Sequence, residues 1–277
     1  MKINTIIKPK SGFQLIDLQE LFYYKDLLIF MVKREVTVIY KQTILGFSWA
    51  IIKPLFSMVI FSIIFGGLAE IPSDDIPYPL FSYVALVPWT YFSTSMTRST
   101  QSLVASAGII SKVYFPRLII PLTPVLSGLI DFIISFSVIG ILMIYFSIVP
   151  TLNILYLPIL ILMMVLTSAG IGMWLSALAI QYRDINFIVQ FLAQILMYAA
   201  PVVWPVSLLE SKFSISIRIF YGLYPMAGVI EGFRASLLGS TDMPWDLIGM
   251  GLISTFLIFI SGAIYFKRKE PIFTDVI

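Results

Sequence analysis

Lys33-Arg34-Glu35-Val36-Thr37-Val38-Ile39-Tyr40-Lys41-Gln42-Thr43-Ile44-Leu45-Gly46 runs directly into Phe47-Ser48-Trp49-Ala50-Ile51-Ile52-Lys53-Pro54-Leu55. At about 100° per residue, Lys33, Arg34, Thr37, Lys41 and Gln42 share one arc of a helix. Val32, Val36, Ile39 and Thr43 share the opposite arc, with Ile29 above and Phe47 below. This is a basic amphipathic helix of the kind that lies in a membrane interface with its apolar face among the acyl chains. The residues that follow are apolar enough to cross. The stretch therefore wires a surface helix to a first membrane span, either as an inert anchor or as a lever, and periodicity leaves both open.

Composition agrees with a membrane setting. Of 277 residues, 59% are hydrophobic and 12% charged, with a mean hydropathy of +0.96, whereas a soluble domain is nearer half apolar and a quarter charged. This is the composition of a polytopic membrane protein. A net charge of +3 gives no reason to expect a nucleic-acid partner. With no Cys there is no disulfide framework, thiolate nucleophile or sulfur-ligated metal, and with no His the common zinc and iron sites and imidazole acid–base chemistry drop out. The first 26 residues carry Lys2, Lys8, Lys10 and Lys25 but no long apolar run, so no cleaved leader is expected.

A membrane helix needs about 20 mostly apolar residues. The first span is expected over Ser48–Ala69, followed by an acidic loop at Glu70–Pro77. The second covers Tyr78 to about Thr97, with a kink expected at Pro88. Arg98–Arg117 is too rich in Ser and charge to cross. From Leu118 to Val149 the apolar run exceeds one span, so Leu118–Pro124 is expected to turn in from the surface before the third span. Pro150–Asn153 is a turn, Ile154–Ile180 a fourth span, Phe187–Trp204 a fifth and Leu247–Phe266 a sixth. Between the last two, Ile215–Leu223 and Pro225–Leu238 read as short helices meeting at Tyr224-Pro225. They form a re-entrant pair on the outer side. The alternative, a seventh and eighth span, would put Arg218, Glu231 and Arg234 at membrane depth.

Six spans place both termini on one side. In that topology 15 of the 18 basic residues share the side of the termini, and only Lys212, Arg218 and Arg234 lie opposite. The positive-inside bias then makes both termini cytoplasmic. The expected architecture is all-α and a single transmembrane domain. Residues 1–47 are a cytoplasmic segment with the interface helix, 48–266 the six-span bundle with the re-entrant segment 205–246, and 267–277 a cytoplasmic tail.

Few residues carry reactive chemistry. No G-x-x-x-x-G-K-[ST] motif occurs, and no paired carboxylates suggest a catalytic centre. Lys53 and Asp131 are the ionisable groups within spans. Asp131 either couples a proton or bonds a neighbouring hydroxyl or carbonyl inside the bundle. Aromatic residues crowd the second span and close the fifth. Trp89, Tyr91 and Phe92 lie mid-span, where an interfacial belt explains them poorly, and Tyr198 and Trp204 end the fifth span. A sugar polymer could slide along such rings, and packing between helices is the alternative.

Taken together, several stretches resemble the membrane subunits of type-2 ABC exporters, most closely the O-antigen, capsule and teichoic-acid export permeases. They are Arg34–Ala50 with Pro54-Leu55, Ser111–Pro121, Tyr182-Arg183-Asp184-Ile185, and Tyr224-Pro225-Met226, where the family pattern has Asn in place of Tyr224. The resemblance covers nearly the whole chain. It implies a homodimer in the bacterial inner membrane, bound to two copies of an ABC ATP-binding subunit. It implies a lipid-linked polysaccharide as substrate, moving through a channel that Trp89, Tyr91, Phe92, Tyr198 and Trp204 would line. Lys33, Arg34, Tyr40 and Lys41 would belong to a gate helix touching membrane lipids. Lys112, Arg117, Arg183 and Asp184 would lie on loops that contact the ATPase, together with the segment before Lys33. This chain would be no enzyme and would hold no cofactor, ATP and Mg being bound by the partner subunit. A small lipid or drug is the alternative cargo. A proton-coupled carrier using Asp131, or a membrane-bound glycan transferase, are the alternatives of other classes.

Overall fold

The computed structural model describes residues 18–41, 43–110, 112–208 and 215–273, and all regular structure among these is helical. Two short helices precede the bundle, α1 (Leu18–Tyr23) and α2 (Lys25–Lys41). The bundle comprises α3 (Ser48–Phe61, continued by a π-helical turn over Ser62–Leu68), α4 (Tyr78–Ala105), α6 (Ile119–Tyr145), α7 (Leu157–Gln181), α8 (Ile185–Ala199) and α11 (Trp245–Lys269). Between them lie the short α5 (Ala107–Ile110) and the pair α9 (Ile215–Gly222) and α10 (Pro225–Leu237). Proline at the first or second position starts α4, α7 and α10, where its missing N–H costs nothing.

Helix α4 is the centre. It packs on α3, α6, α7, α8 and α10, and from Leu80 to Trp89 every one of its residues is buried. Four helical stretches among the described residues are long and apolar enough to cross a membrane: Ser48–Leu68, Ile119–Tyr145, Leu152–Gln181 and Trp245–Ile272. The other two expected spans take a different form. Helix α4 has the length, but its second half is rich in hydroxyls that bond back to its own carbonyls or across to α6. Thr97 donates to Ser93 O (2.8 Å), Thr100 to Met96 O (2.8 Å) and Ser99 to Pro121 O (2.7 Å). Enclosed by protein rather than lipid, α4 does not need an apolar surface. The fifth expected span is a 15-residue helix that ends at Ala199, because Pro201 follows.

Two boundaries correct the sequence reading. Leu118–Pro124 does not turn in from the surface, since α6 begins at Ile119 and runs straight on. Pro121 falls in its first turn, where no N–H is required, and the helix tolerates Pro124. The polar stretch after Arg98 is not a loop throughout, because α4 continues through Pro88 and on to Ala105. Gln42, Ser111 and Lys212 fall outside the described residues, as do positions 1–17 and the middle of the 205–246 segment.

Close helix approach sets the remaining geometry. A Cβ placed on Gly170 of α7 would come within 2.8 Å of the Phe259 backbone nitrogen in α11, so the two helices cross almost backbone to backbone. A second apolar cluster at the α2 end gathers Leu103, Ile110, Phe115, Ile120, Phe266 and Phe273, and Tyr24, Leu27 and Met31 rest on it.

Candidate functional site: the crevice beneath the interface helix

Helix α2 is docked shallowly. None of its 17 residues is buried. Met31, Val32, Glu35, Val36 and Ile39 face the bundle and are half-buried, whereas Lys33, Arg34, Thr37 and Lys41 are exposed, as the helical periodicity predicts. Phe30 and Val38 are also exposed, at 63% and 67%, and Val38 lines the crevice between α2 and α4. The chain leaves α2 through Gly46, whose φ of +50° favours glycine and whose surroundings are open. Across this turn the rings of Tyr40 and Phe47 stack at 4.1 Å between centroids. Helix α2 thus has no buried residue and is joined to the bundle through a left-handed glycine.

Between α2 and the ends of α4 and α6 lies a crevice of about 370 Å³, with Arg34 and Glu35 on one wall and Arg98 and Gln101 on the other. Arg98 also lines a second cavity of about 360 Å³ further along, which holds Tyr40, Lys53, Asp131 and Ser135. The two ionisable groups that looked isolated in the sequence, Lys53 and Asp131, thus meet at one cavity. Ser135 donates to Ala50 O at 2.7 Å and to Asp131 O at 2.8 Å, pinning α6 to α3 beside them. Burial pushes the Glu35 carboxyl above its ordinary range, and the Arg98 guanidinium opposes this. Neither Glu35 nor Arg98 stood out as a site residue in the sequence. The available signal was a charged pair facing the first protein-covered turns, but the two lie 63 residues apart and only the fold joins them.

The five aromatic residues do not form one surface. Trp89, Tyr91 and Phe92 are 4%, 4% and 0% exposed. Tyr91 donates to Val125 O at 2.8 Å and meets Phe132 edge-on, and Trp89 tilts against Phe92 at 5.5 Å. They pack α4 to its neighbours, and their placement argues against a sliding surface at these positions. Tyr198 is different, at 73% exposed. It belongs to a face of α8 that also exposes Phe187, Gln190, Phe191 and Gln194, while Val189 is that helix's sole buried residue. Gln190 and Gln194 escaped the sequence reading, although two amides four apart in an apolar helix are the signal. Trp204 is half-buried against the ring of Tyr221.

The Trp204 carbonyl borders a buried polar network. Arg234 of α10, 1% exposed, donates to Glu231 (2.8 Å) and Val202 O (2.9 Å), with longer contacts to Phe81 O (3.4 Å) and Trp204 O (3.5 Å). Its guanidinium lies 3.5 Å over the Phe81 ring. The charges of α10 are therefore paired inside protein, whatever the depth of that helix. Of the loop residues, Lys112, Arg183 and Asp184 are exposed, whereas Arg117 donates to the Glu270 carbonyl and ties the α5–α6 loop to the end of α11.

Comparison with known proteins gives the family of the chain. The ABC-2 type transporter model matches residues 26–238. An O-antigen export system permease protein RfbA of Myxococcus xanthus is 26% identical over 91% of this chain and 96% of its own length. Its counterpart in Klebsiella pneumoniae is 29% identical over 92% and 96%. The polysialic acid transport protein KpsM of Escherichia coli is 24% identical over 87% and 93%. Matched over most of its length, this helical membrane chain belongs to the ABC-2 type transporter family.

Proposed function

We propose that the chain is the channel-forming membrane subunit of an exporter that moves a lipid-linked polysaccharide out of the cytoplasm, with ATP hydrolysed on a separate subunit. The observation that carries this reading is the nearly end-to-end similarity to permeases named for O-antigen export and polysialic acid transport. The sequence contains no nucleotide-binding P-loop, so the driving force has to come from elsewhere.

The structure supports several parts of the proposal. The alternation of α3, α4, α6, α7, α8 and α11 suits a chain that passes the bilayer six times, with α9 and α10 as a re-entrant pair, and the bias of the basic residues supports cytoplasmic termini. Helix α3 leaves Phe56, Ile63 and Ile64 exposed, and α8 its Phe–Gln–Tyr face. A second copy of the chain would cover these faces and enclose a channel. Aromatic rings stack on the apolar faces of pyranoses, and glutamine amides exchange hydrogen bonds with hydroxyls without fixing one register. In this arrangement α2 is the cytoplasmic gate, and Lys112, Arg183 and Asp184 are free to meet the ATPase.

The test is reconstitution. Alone, the purified chain should turn over no ATP. With its ATP-binding partner in proteoliposomes, it should move a lipid-linked glycan only when ATP is supplied. Transport driven by a proton gradient without ATP, and abolished by Asp131→Asn, would replace this reading with a proton-coupled carrier.

A further inference from the structure

Three connectors of the bundle meet at one cavity, far from α2 in the chain. The α3–α4 loop brings Asp74 and the α6–α7 turn brings Thr151 and Asn153. The segment between α8 and α11 brings Ser207, Arg218, Glu231 and residues 239–242. They enclose about 590 Å³, within the range of small-molecule sites. In a six-span chain with cytoplasmic termini all three connectors are outer ones. Contacts between them fix the walls. Thr151 donates to Ser236 O at 2.9 Å, and Ser207 donates to the Asp74 carboxylate at 2.9 Å. Gly239 has a φ of +64°, and a Cβ there would come within 2.6 Å of the Thr151 side chain.

The chemistry of the lining narrows what could occupy it. Asp74, Glu231 and Asp242 are carboxylates on its walls, and the guanidinium of Arg218 is engaged by Asp246 at 2.6 Å. Glu231 is matched by Arg234, so an anion entering the cavity would still face Asp74 and Asp242. A bare metal ion is served no better, because among the described residues no three acidic side chains are grouped to hold one. Ser207, Ser240, Thr241 and Asn153 add hydroxyls and an amide, while Val206, Pro244 and Leu247 supply a smaller apolar part. Carboxylates accept from hydroxyl groups, and serine, threonine and asparagine both donate and accept. The complement is an uncharged, polyhydroxylated ring. We propose that this outer cavity binds neutral sugar units of the glycan and repels acidic ones, which makes a neutral polysaccharide the cargo. The inference rests on the export reading and adds the charge class of the substrate to it.

Because the chain has no cysteine, Thr241→Cys places a single thiol on the cavity wall. Its modification by a maleimide is followed by mass on this chain, in the complex with the ATP-binding subunit. The probes are neutral tetrasaccharides of glucose, galactose, mannose and N-acetylglucosamine, and a tetrasaccharide of sialic acid. At least one neutral probe should slow modification saturably, and the sialic acid probe should need about tenfold or more higher concentration for the same protection. Asp74→Asn with Asp242→Asn should cut that preference to about twofold or less. Asparagine keeps the size of aspartate and tolerates the left-handed backbone of Asp74, whose φ is +50°, so the loop should keep its shape. Protection by none of the neutral probes, equal protection by sialic acid, or a preference that survives the double variant overturns the proposal. Protection by neutral sugars in a complex that moves no glycan with ATP would count against the export reading and leave the sugar site standing.

Discussion

Replacing Arg234 by Met should destabilise the protein more than any surface change, and the second half of the same cycle should undo most of the loss. Arg234 and Glu231 have side chains 1% and 6% exposed and form an ion pair of 2.8 Å. Removing the arginine leaves a buried carboxylate with only the Val206 N–H at 3.3 Å for compensation. Breaking a buried pair from one side costs about 3–5 kcal/mol. For a chain of this size that corresponds to a shift on the order of 10 °C in the melting midpoint. The double variant Arg234→Met/Glu231→Leu removes both charges, and apolar replacement of a whole buried pair is often close to neutral. The measurement is thermal unfolding of the detergent-solubilised protein by tryptophan fluorescence, Trp204 lying beside the network. A single variant melting within about 2 °C of the parent, or a double variant less stable than Arg234→Met alone, would refute the reasoning.

Gly170→Val should force α7 and α11 apart, since its Cβ would meet the Phe259 backbone at 2.8 Å; a loss of about 1–3 kcal/mol should appear in the same assay. Trp89→Ala and Tyr198→Ala should separate, because one side chain is 4% and the other 73% exposed. The first should cost about 3–5 kcal/mol and lower the yield of folded protein, whereas the second should assemble normally and reduce glycan export per complex. Burial raises the Glu35 carboxyl above its ordinary value of 4.5, so the folded chain holds that proton longer than the unfolded one. Its contribution to stability is therefore present below 4.5 and lost as pH climbs through the raised value. Glu35→Gln should match the parent in acid and exceed it at neutral pH.

Much of the helical frame was legible because its signals are local. Tyr224-Pro225 marks the start of α10, the apolar runs after Ser48, Leu118, Ile154 and Leu247 mark four membrane helices, and the basic arc of α2 follows from periodicity alone. What escaped depends on contacts distant in sequence. Trp89, Tyr91 and Phe92 read as candidates for a channel because they lie mid-span, yet α4 is enclosed by its neighbours and they became core. Arg98 read as the first residue of a polar segment too charged to cross, and only the docking of α2 sets it opposite Arg34 and Glu35. Lys53 and Asp131 lie 78 residues apart and share a cavity only through the packing of α3 on α6.

The proposed channel requires α2 to move. The chain has no cysteine, so Val38→Cys on α2 and Ala105→Cys on α4, which line opposite walls of the crevice, can be joined by a reducible thiol-specific linker without interference. Export by the reconstituted complex should stop when the two are bridged and return on reduction, while either single variant transports throughout. Full export from the bridged complex would contradict the gate and leave α2 an anchor.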